Sequence, residues 1–176
     1  MQRREIAHTE HFDAVIKVLT GGGLLLAAYD ADGRANAMAI GWGALGSIWG
    51  MPMWIVLVRP SRYTYSCVEH AGAFSVNVPG ADLADAVEVC GTQSGRDGDK
   101  LAACGLTVTR GDAGAPLLDA CPIVYECQVV HHNDLDPAAL SGQVATGFYA
   151  AGDYHRCYYG RIVSALAAED AASRLG

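Results

Sequence analysis

A mainly antiparallel β protein with a few short helices is the fold class this sequence predicts, and three observations predict it. Compact runs of β-branched, aromatic and aliphatic residues recur along the chain, several of them joined by hairpin-length links. The helix-like stretches between them are short, and most stop at a glycine. No Pro/Ser-rich or charge-block linker divides the 176 residues, so 1–176 reads as a single domain.

The elements follow in order. Val15, Ile16 and Leu19 stand at helical spacing and predict a helix over residues 12–19, stopped by Gly21-Gly22-Gly23. Residues 24–29 form an apolar strand closed by the turn Asp30-Ala31-Asp32-Gly33, and residues 35–42 alternate loosely as its hairpin partner. Residues 53–58 are a third strand, followed by one or two helical turns over 64–70 that Gly72 ends. Residues 74–78 alternate cleanly, which predicts a strand with one face in the core and the other open to ligand or solvent.

Leu83, Val87 and Cys90 at i, i+4, i+7 predict an amphipathic helix over 82–90, ended by Gly91. Residues 97–104 suggest another short helix closed by Gly105, and 106–109, 123–131 and 154–166 read as strands. Six or seven strands and three or four short helices, with many strands consecutive, give a mainly antiparallel, closed sheet.

Composition narrows the function. With 51% hydrophobic residues the chain can bury a substantial core and leave an apolar subunit interface. A net charge of -7 argues against nucleic acid, whose phosphates demand excess positive charge. The charged start, residues 1–11, has no apolar stretch of a secretory signal, and no apolar run is long enough to span a bilayer; a cytoplasmic location, with no membrane partner, is expected. The six cysteines lack a C-x-x-C pair and read as mostly buried thiols.

Against that acidity, Arg59-Pro60-Ser61-Arg62-Tyr63-Thr64 sets two guanidinium groups, two aliphatic hydroxyls and a proline at the end of an apolar strand. Arginine offers a planar fork of donors matched to phosphate or carboxylate. The hexapeptide is therefore an anion site or, alternatively, a solvated turn. Residues 92–100 add hydroxyls, flexible glycine backbone, Arg96 and Lys100 just before a short helix. If the fold joins the two loops, Arg59, Ser61, Arg62, Thr64, Ser94 and Lys100 share one terminal phosphate, with Asp97 and Asp99 capping the helix or orienting the bases.

Gly41-Trp42-Gly43-Ala44-Leu45-Gly46 matches G-x-G-x-x-G but fails as a dinucleotide fingerprint. Only residues 47–52 separate it from the next strand, and Gly50 and Pro52 there oppose the required helix. Its glycines are expected to permit tight turns beside a flat ligand or a neighbouring chain. Trp42, Trp49, Trp54 and Tyr63 flank a planar heterocycle or simply fill core and interface. His131-His132-Asn133-Asp134 has no zinc-like spacing, and no G-x-S-x-G supports a triad.

The ordered set of Asn36-Ala-Met38-Ala-Ile40-Gly-Trp42, Val58 to Thr64, Phe74-Ser-Val-Asn77-Val-Pro79, Cys90 to Lys100, Gly152-Asp153-Tyr154-His155-Arg156 and Tyr159-Gly160-Arg161-Ile162-Val163 resembles the flavin reductase-like, FMN-binding split-barrel family that includes flavoredoxin. The resemblance covers about residues 24–163. It implies a six-stranded antiparallel split barrel, a homodimer and one FMN per subunit. Asn36, Met38, Ala39 and Ile40, with Trp42, would then lie beside the isoalloxazine ring. Arg59, Ser61, Arg62, Tyr63 and Thr64 would hold the phosphate with Ser94 and Lys100. Asn77 would approach the ring or ribityl chain, and His155 the ring's open face, as the one candidate catalytic residue.

The activity so implied is an NAD(P)H-dependent flavin reductase or oxidoreductase, passing electrons to free flavin, an iron centre or a protein acceptor. Two alternatives stand beside it. One is a flavoredoxin-like carrier reduced by a protein partner; the other is a non-redox flavin-binding module. Nothing in the chain independently reads as a nicotinamide site.

Overall fold

A computed structural model describes residues 2–175. The elements in chain order are β1 (Arg3–Glu5), α1 (Phe12–Gly21), β2 (Leu24–Tyr29), β3 (Ala35–Ile40), β4 (Gly43–Ile48), β5 (Met51–Val58), α2 (Tyr63–Ala71), β6 (Ala73–Val78), α3 (Ala84–Thr92), α4 (Lys100–Ala103), β7 (Val108–Arg110), β8 (Pro116–Leu118), β9 (Ile123–Asp134), α5 (Gly142–Phe148), β10 (Arg156–Ala168) and α6 (Ala171–Arg174). Two single-turn 3-10 helices precede α3 and α5.

The main sheet is antiparallel throughout and runs β3-β2-β6-β9-β10-β5-β4, with β1 on the far end of β10. Its two end strands, β3 and β4, are consecutive in the chain and joined only by Gly41-Trp42. No ladder links them, so the sheet curls into a barrel with one seam. Side chains from β2, β5, β6, β9 and β10 converge inside it, among them Leu24, Leu26, Trp54, Phe74, Tyr125 and Tyr158, all at 1% exposure or less. Burying each such side chain contributes roughly 1.5–3 kcal/mol. The helix α1 closes one side through Val15 and Leu19, which are one turn apart and buried.

A second layer covers the outer face of β2, β3 and β6. Leu25, Ala27 and Ala37 meet Val87 and Cys90 of α3, Leu101 of α4, and Leu117 and Leu118 of β8. This explains the unbroken apolar run of β2, which packs inward with Leu24 and Leu26 and outward with Leu25 and Ala27. It also overturns the expectation of an open face on β6, every residue of which is buried. Ser75 Oγ donates to Pro116 O, and Asn77 Nδ2 donates to Leu25 O at 3.1 Å and to Ser75 Oγ at 2.8 Å. Leu118 N donates back to Asn77 Oδ1 at 2.9 Å. The polar alternation of β6 thus serves the joint between two layers.

The glycine-rich stretch rejected as a dinucleotide fingerprint is a strand. Gly43–Ile48 pairs antiparallel with Met51–Val58 through the two-residue turn Trp49-Gly50. Both turn residues have positive φ, 56° and 72°, as a tight hairpin of this twist requires. Gly41 lies in the two-residue connection from β3 to β4, whereas Gly43 and Gly46, expected in tight turns beside a flat ligand or a neighbouring chain, stand in an edge strand with only Leu45 buried. β1 and α5 are likewise additions to the sequence reading. The strand expected at 106–109 is Val108–Arg110, which pairs with β8 in a separate two-stranded sheet.

Candidate cofactor site

Two loops meet beside the seam. The first leaves β5 at Arg59 and enters the N-terminus of α2, which no side chain caps. The second runs from the end of α3 to α4, where Asp99 accepts a hydrogen bond from Ala102 N and caps the helix as expected. Between them lies a cradle of about 230 Å³ lined by Ser61, Arg62, Tyr63, residues 90–96 and Lys100, with Met38 and Ala39 at its mouth. A second hollow of about 170 Å³ continues from it along residues 38–42 to Leu57, Arg59 and His155. Met38, Ala39 and Arg62 line both.

The cradle is rich in donors. Arg96 lies over the Tyr63 ring at 5.2 Å, and its Nη1 donates to Ser61 O at 3.1 Å, which ties the loops together. Lys100 is 5% exposed; its Nζ donates to Cys90 O at 3.1 Å and Gln93 O at 3.0 Å and has a third proton left. Burial lowers its pKa, and the nearby Arg62 charge adds to that. The guanidinium of Arg62 makes no hydrogen bond or ion pair among the described residues. The uncapped start of α2 adds partial positive charge at the same place.

The loops also meet by close backbone approach. A Cβ at Gly95 would stand 2.1 Å from Asn36 Oδ1 and 2.9 Å from Tyr63 Cδ1, so only glycine fits there. Asn36 in turn donates through Nδ2 to Thr64 Oγ1 at 2.8 Å, both side chains being buried.

At the other end the hollow is aromatic. Trp42 packs edge-on to Phe148 with centroids 5.1 Å apart and tilted to His155 at 5.3 Å. His155 is buried, and a 2.7 Å hydrogen bond joins its Nδ1 to the Tyr149 hydroxyl. Burial, helped by the Arg59 charge, pushes its pKa down to about 4. The ring is therefore neutral at neutral pH.

The structure divides the residues singled out in the sequence. It brings Met38, Ala39, Ile40, Trp42, Arg62, Tyr63, Ser94, Lys100 and His155 to two adjoining hollows that share Met38, Ala39 and Arg62, and adds Arg96. Asn36 and Thr64 brace the loops from behind. Arg59 and Ser61 line the hollow but spend their donors on the segment before His155. Arg59 Nη1 donates to Asp153 O at 2.8 Å, its Nη2 to Phe148 O at 2.9 Å, and its guanidinium lies 5.0 Å from the Tyr149 centroid. Ser61 Oγ donates to Asp153 Oδ2 at 2.6 Å. Asn77 is fully buried in its layer joint and lines neither hollow. Trp54 is core, and Trp49 sits exposed at the hairpin tip beside Tyr159 and His131.

Arg96 carried a visible signal, since it lies in the same glycine-flanked loop as Ser94 and Lys100. Asp153 stands in the Gly152 to Arg156 motif without any sign of its partner. Tyr149 had no signal. Two larger hollows adjoin, one of about 600 Å³ under α1 and α3 and mostly apolar, one of about 780 Å³ beyond Tyr63. The second shares Tyr63, Arg96 and Lys100 with the cradle, and its Arg34 is committed to Asp30 and Asp32. No group of His, Cys, Asp and Glu among the described residues is arranged to hold a metal ion, and no helix among them is long and apolar enough to cross a membrane.

An antiparallel barrel split at one seam, with a cationic cradle beside an aromatic slot at that seam, defines a split barrel of the flavin reductase-like kind. The chain belongs to the flavin reductase like domain family, whose model matches residues 18–175. Among solved structures it is similar to flavoredoxin from Methanosarcina acetivorans, at 29% identity and TM-score 0.67, covering 84% of this chain and 69% of that one. Flavoredoxin of Desulfovibrio vulgaris (Miyazaki F) gives 25% identity and TM-score 0.68, covering 84% and 70%. Uncharacterized protein YddH of Escherichia coli (strain K12) is 31% identical over 62% of this chain and 59% of its own length. The chain spans under two thirds of the curated relatives it matches.

Proposed function

We propose that this protein binds one FMN per subunit and acts as an NAD(P)H-dependent oxidoreductase of the flavin reductase type. The observation that carries the reading is Arg62, an unpaired guanidinium that lines both the donor-rich cradle and the aromatic slot. A ligand fitting both halves has an anion at one end and a flat ring at the other, with a spacer reaching past Arg62, which is the layout of a flavin mononucleotide. Arg62, Arg96, Ser94, Lys100 and the start of α2 hold the phosphate. The edge strand β3 presents its backbone at Met38, Ala39 and Ile40 to the ring, and Trp42 walls the slot.

Bound FMN supplies the redox chemistry, accepting hydride from the donor and passing electrons on to free flavin, an iron centre or a protein. The chain's own work is binding, orientation and exclusion of water. A neutral His155, held by Tyr149, offers a fixed polar atom beside the ring without a charge that would repel a cationic nicotinamide ring. The exposed Trp49, Val130 and Val163 supply apolar surface for a homodimer. Six unpaired cysteines favour the reducing cytoplasm.

A second reading is a flavoredoxin-like carrier reduced by a protein, favoured by the two flavoredoxins above. Anaerobic stopped-flow separates them. Bleaching of the bound flavin by NADH or NADPH supports the reductase; bleaching by a reduced ferredoxin alone overturns it in favour of the carrier. Tight FMN binding with no bleaching by any donor leaves a non-redox flavin module.

A further inference from the structure

The loop that enters the phosphate cradle and the segment that carries His155 are one mechanical unit. Asp153 takes both donors of Ser61, the hydroxyl at 2.6 Å and the backbone N-H at 3.3 Å. Arg59 grips the other side of the same turn through the carbonyls of Gly152 and Asp153. The turn itself is unfavourable: Gly152 and Asp153 are successive left-handed residues, with φ of 78° and 56°. Aspartate holds such a conformation only at a cost, so external contacts must keep it in place. Two residues on, His155 is anchored from the other direction by Leu135 N donating to its carbonyl at 3.0 Å.

Both donors of Ser61 are thereby used up a single residue before Arg62. Asp153 is acidic in a place otherwise lined by cations, and its carboxylate accepts from Ser61 while the hydrogen bonds of Arg96 and Lys100 go elsewhere. A residue serving only to bind phosphate would not be a carboxylate. A residue serving only the fold would not need to join the phosphate loop to the wall of the ring slot.

We propose that Asp153 is a positioning residue that sets His155 against the flavin face by anchoring its segment to Ser61 of the phosphate loop. The proposal rests on the flavin reading for its consequence, since the position of His155 matters to a ring in the slot. Its geometric half is independent of that reading.

The test exploits a sign. The charged groups acting on His155 are Arg59, Arg62 and Asp153, and the Asp153 charge favours the protonated ring. Removing that charge alone would drive the His155 pKa still lower. If Asp153 is the anchor, Asp153→Ala instead loosens the segment, lets water reach the ring and raises the His155 titration from about 4 toward the ordinary 6.5, read by NMR on the flavin-free protein. Asp153→Asn, which keeps an oxygen for the Ser61 hydroxyl and tolerates the left-handed turn but loses the charge, holds the titration at or below the wild-type value.

In the loaded protein, Asp153→Ala should leave FMN affinity nearly unchanged, alter the visible circular dichroism of the flavin, and slow its reduction by about tenfold, as misplacement of a positioning group does. A His155 titration that stays put or falls in Asp153→Ala overturns the proposal. So does a loss of FMN affinity equal to that of Arg62→Ala, which would make Asp153 part of the phosphate seat. Failure of the wild type to bind FMN overturns the flavin reading instead and leaves the titration result standing.

Discussion

Asn36 and Thr64, 28 residues apart, are hydrogen-bonded to each other in a buried position, Asn36 Nδ2 donating to Thr64 Oγ1 at 2.8 Å. The bond joins the start of β3 to the first turn of α2, and Asn36 Oδ1 in turn limits how close Gly95 can come. Thr64→Val keeps the shape and removes the acceptor. It should cost about 1–3 kcal/mol, the penalty of an unpaired buried amide, read as a lower urea midpoint. An unchanged midpoint would show that the pair does not brace the loops.

Arg62→Ala should weaken FMN binding by about 1.5–3 kcal/mol, the value of a lost charge-assisted hydrogen bond, in a fluorescence titration. Its melting temperature should stay near wild type, because the side chain is exposed and bonds nothing among the described residues. Lys100→Met should lose both affinity and stability, since the carbonyls of Cys90 and Gln93 lose their donor. Equal melting losses in the two variants would contradict this division.

Gly95→Ala puts a methyl group 2.1 Å from Asn36 Oδ1, so the second loop must move away from the first. The cradle opens while the barrel interior is untouched. Flavin affinity should fall by more than tenfold, about 1.4 kcal/mol, with a smaller change in unfolding free energy. A variant that binds FMN normally would show that the two loops need not meet.

His155 predicts an acid-side effect whose sign is fixed. Its folded pKa, about 4, lies below the ordinary 6.5, so the unfolded chain takes up the proton first as pH falls. The contribution of this residue to stability is whole above about pH 6.5, shrinks between 6.5 and 4, and is constant below that. The urea midpoint of the wild type minus that of His155→Gln should decline across this window. A flat difference would mean that the ring titrates alike in both states.

How far the sequence reached depended on where each residue's partner lies. β2 could be read to the residue because both of its faces are buried, and burial writes itself as an unbroken apolar run. β4 was hidden for the opposite reason: it is an exposed edge strand built on Gly43 and Gly46, and its glycines resemble a loop. The open face expected of β6 was closed by β8, forty-one residues away from Asn77 and Ser75 in the chain. The two basic loops beside the seam were legible because their chemistry lies in residue types. The diversion of Arg59 and Ser61 was not, because their partners are carbonyls and one carboxylate about ninety residues further on.

The seam between β3 and β4 has a consequence for handling the protein. A barrel closed by hydrogen bonds offers no strand edge, whereas this one ends in two, and β3, laddered to β2 through Met38, Ala39 and Ile40, has no strand on its other side among the described residues. An unpaired edge invites another chain to add itself as a strand. A ring seated along β3 would occupy that edge as a molecular gatekeeper, so shelf life and cofactor content should rise and fall together. Preparations stripped of flavin should form oligomers by strand addition first at β3, and charged substitutions on that strand would trade cofactor affinity for colloidal stability.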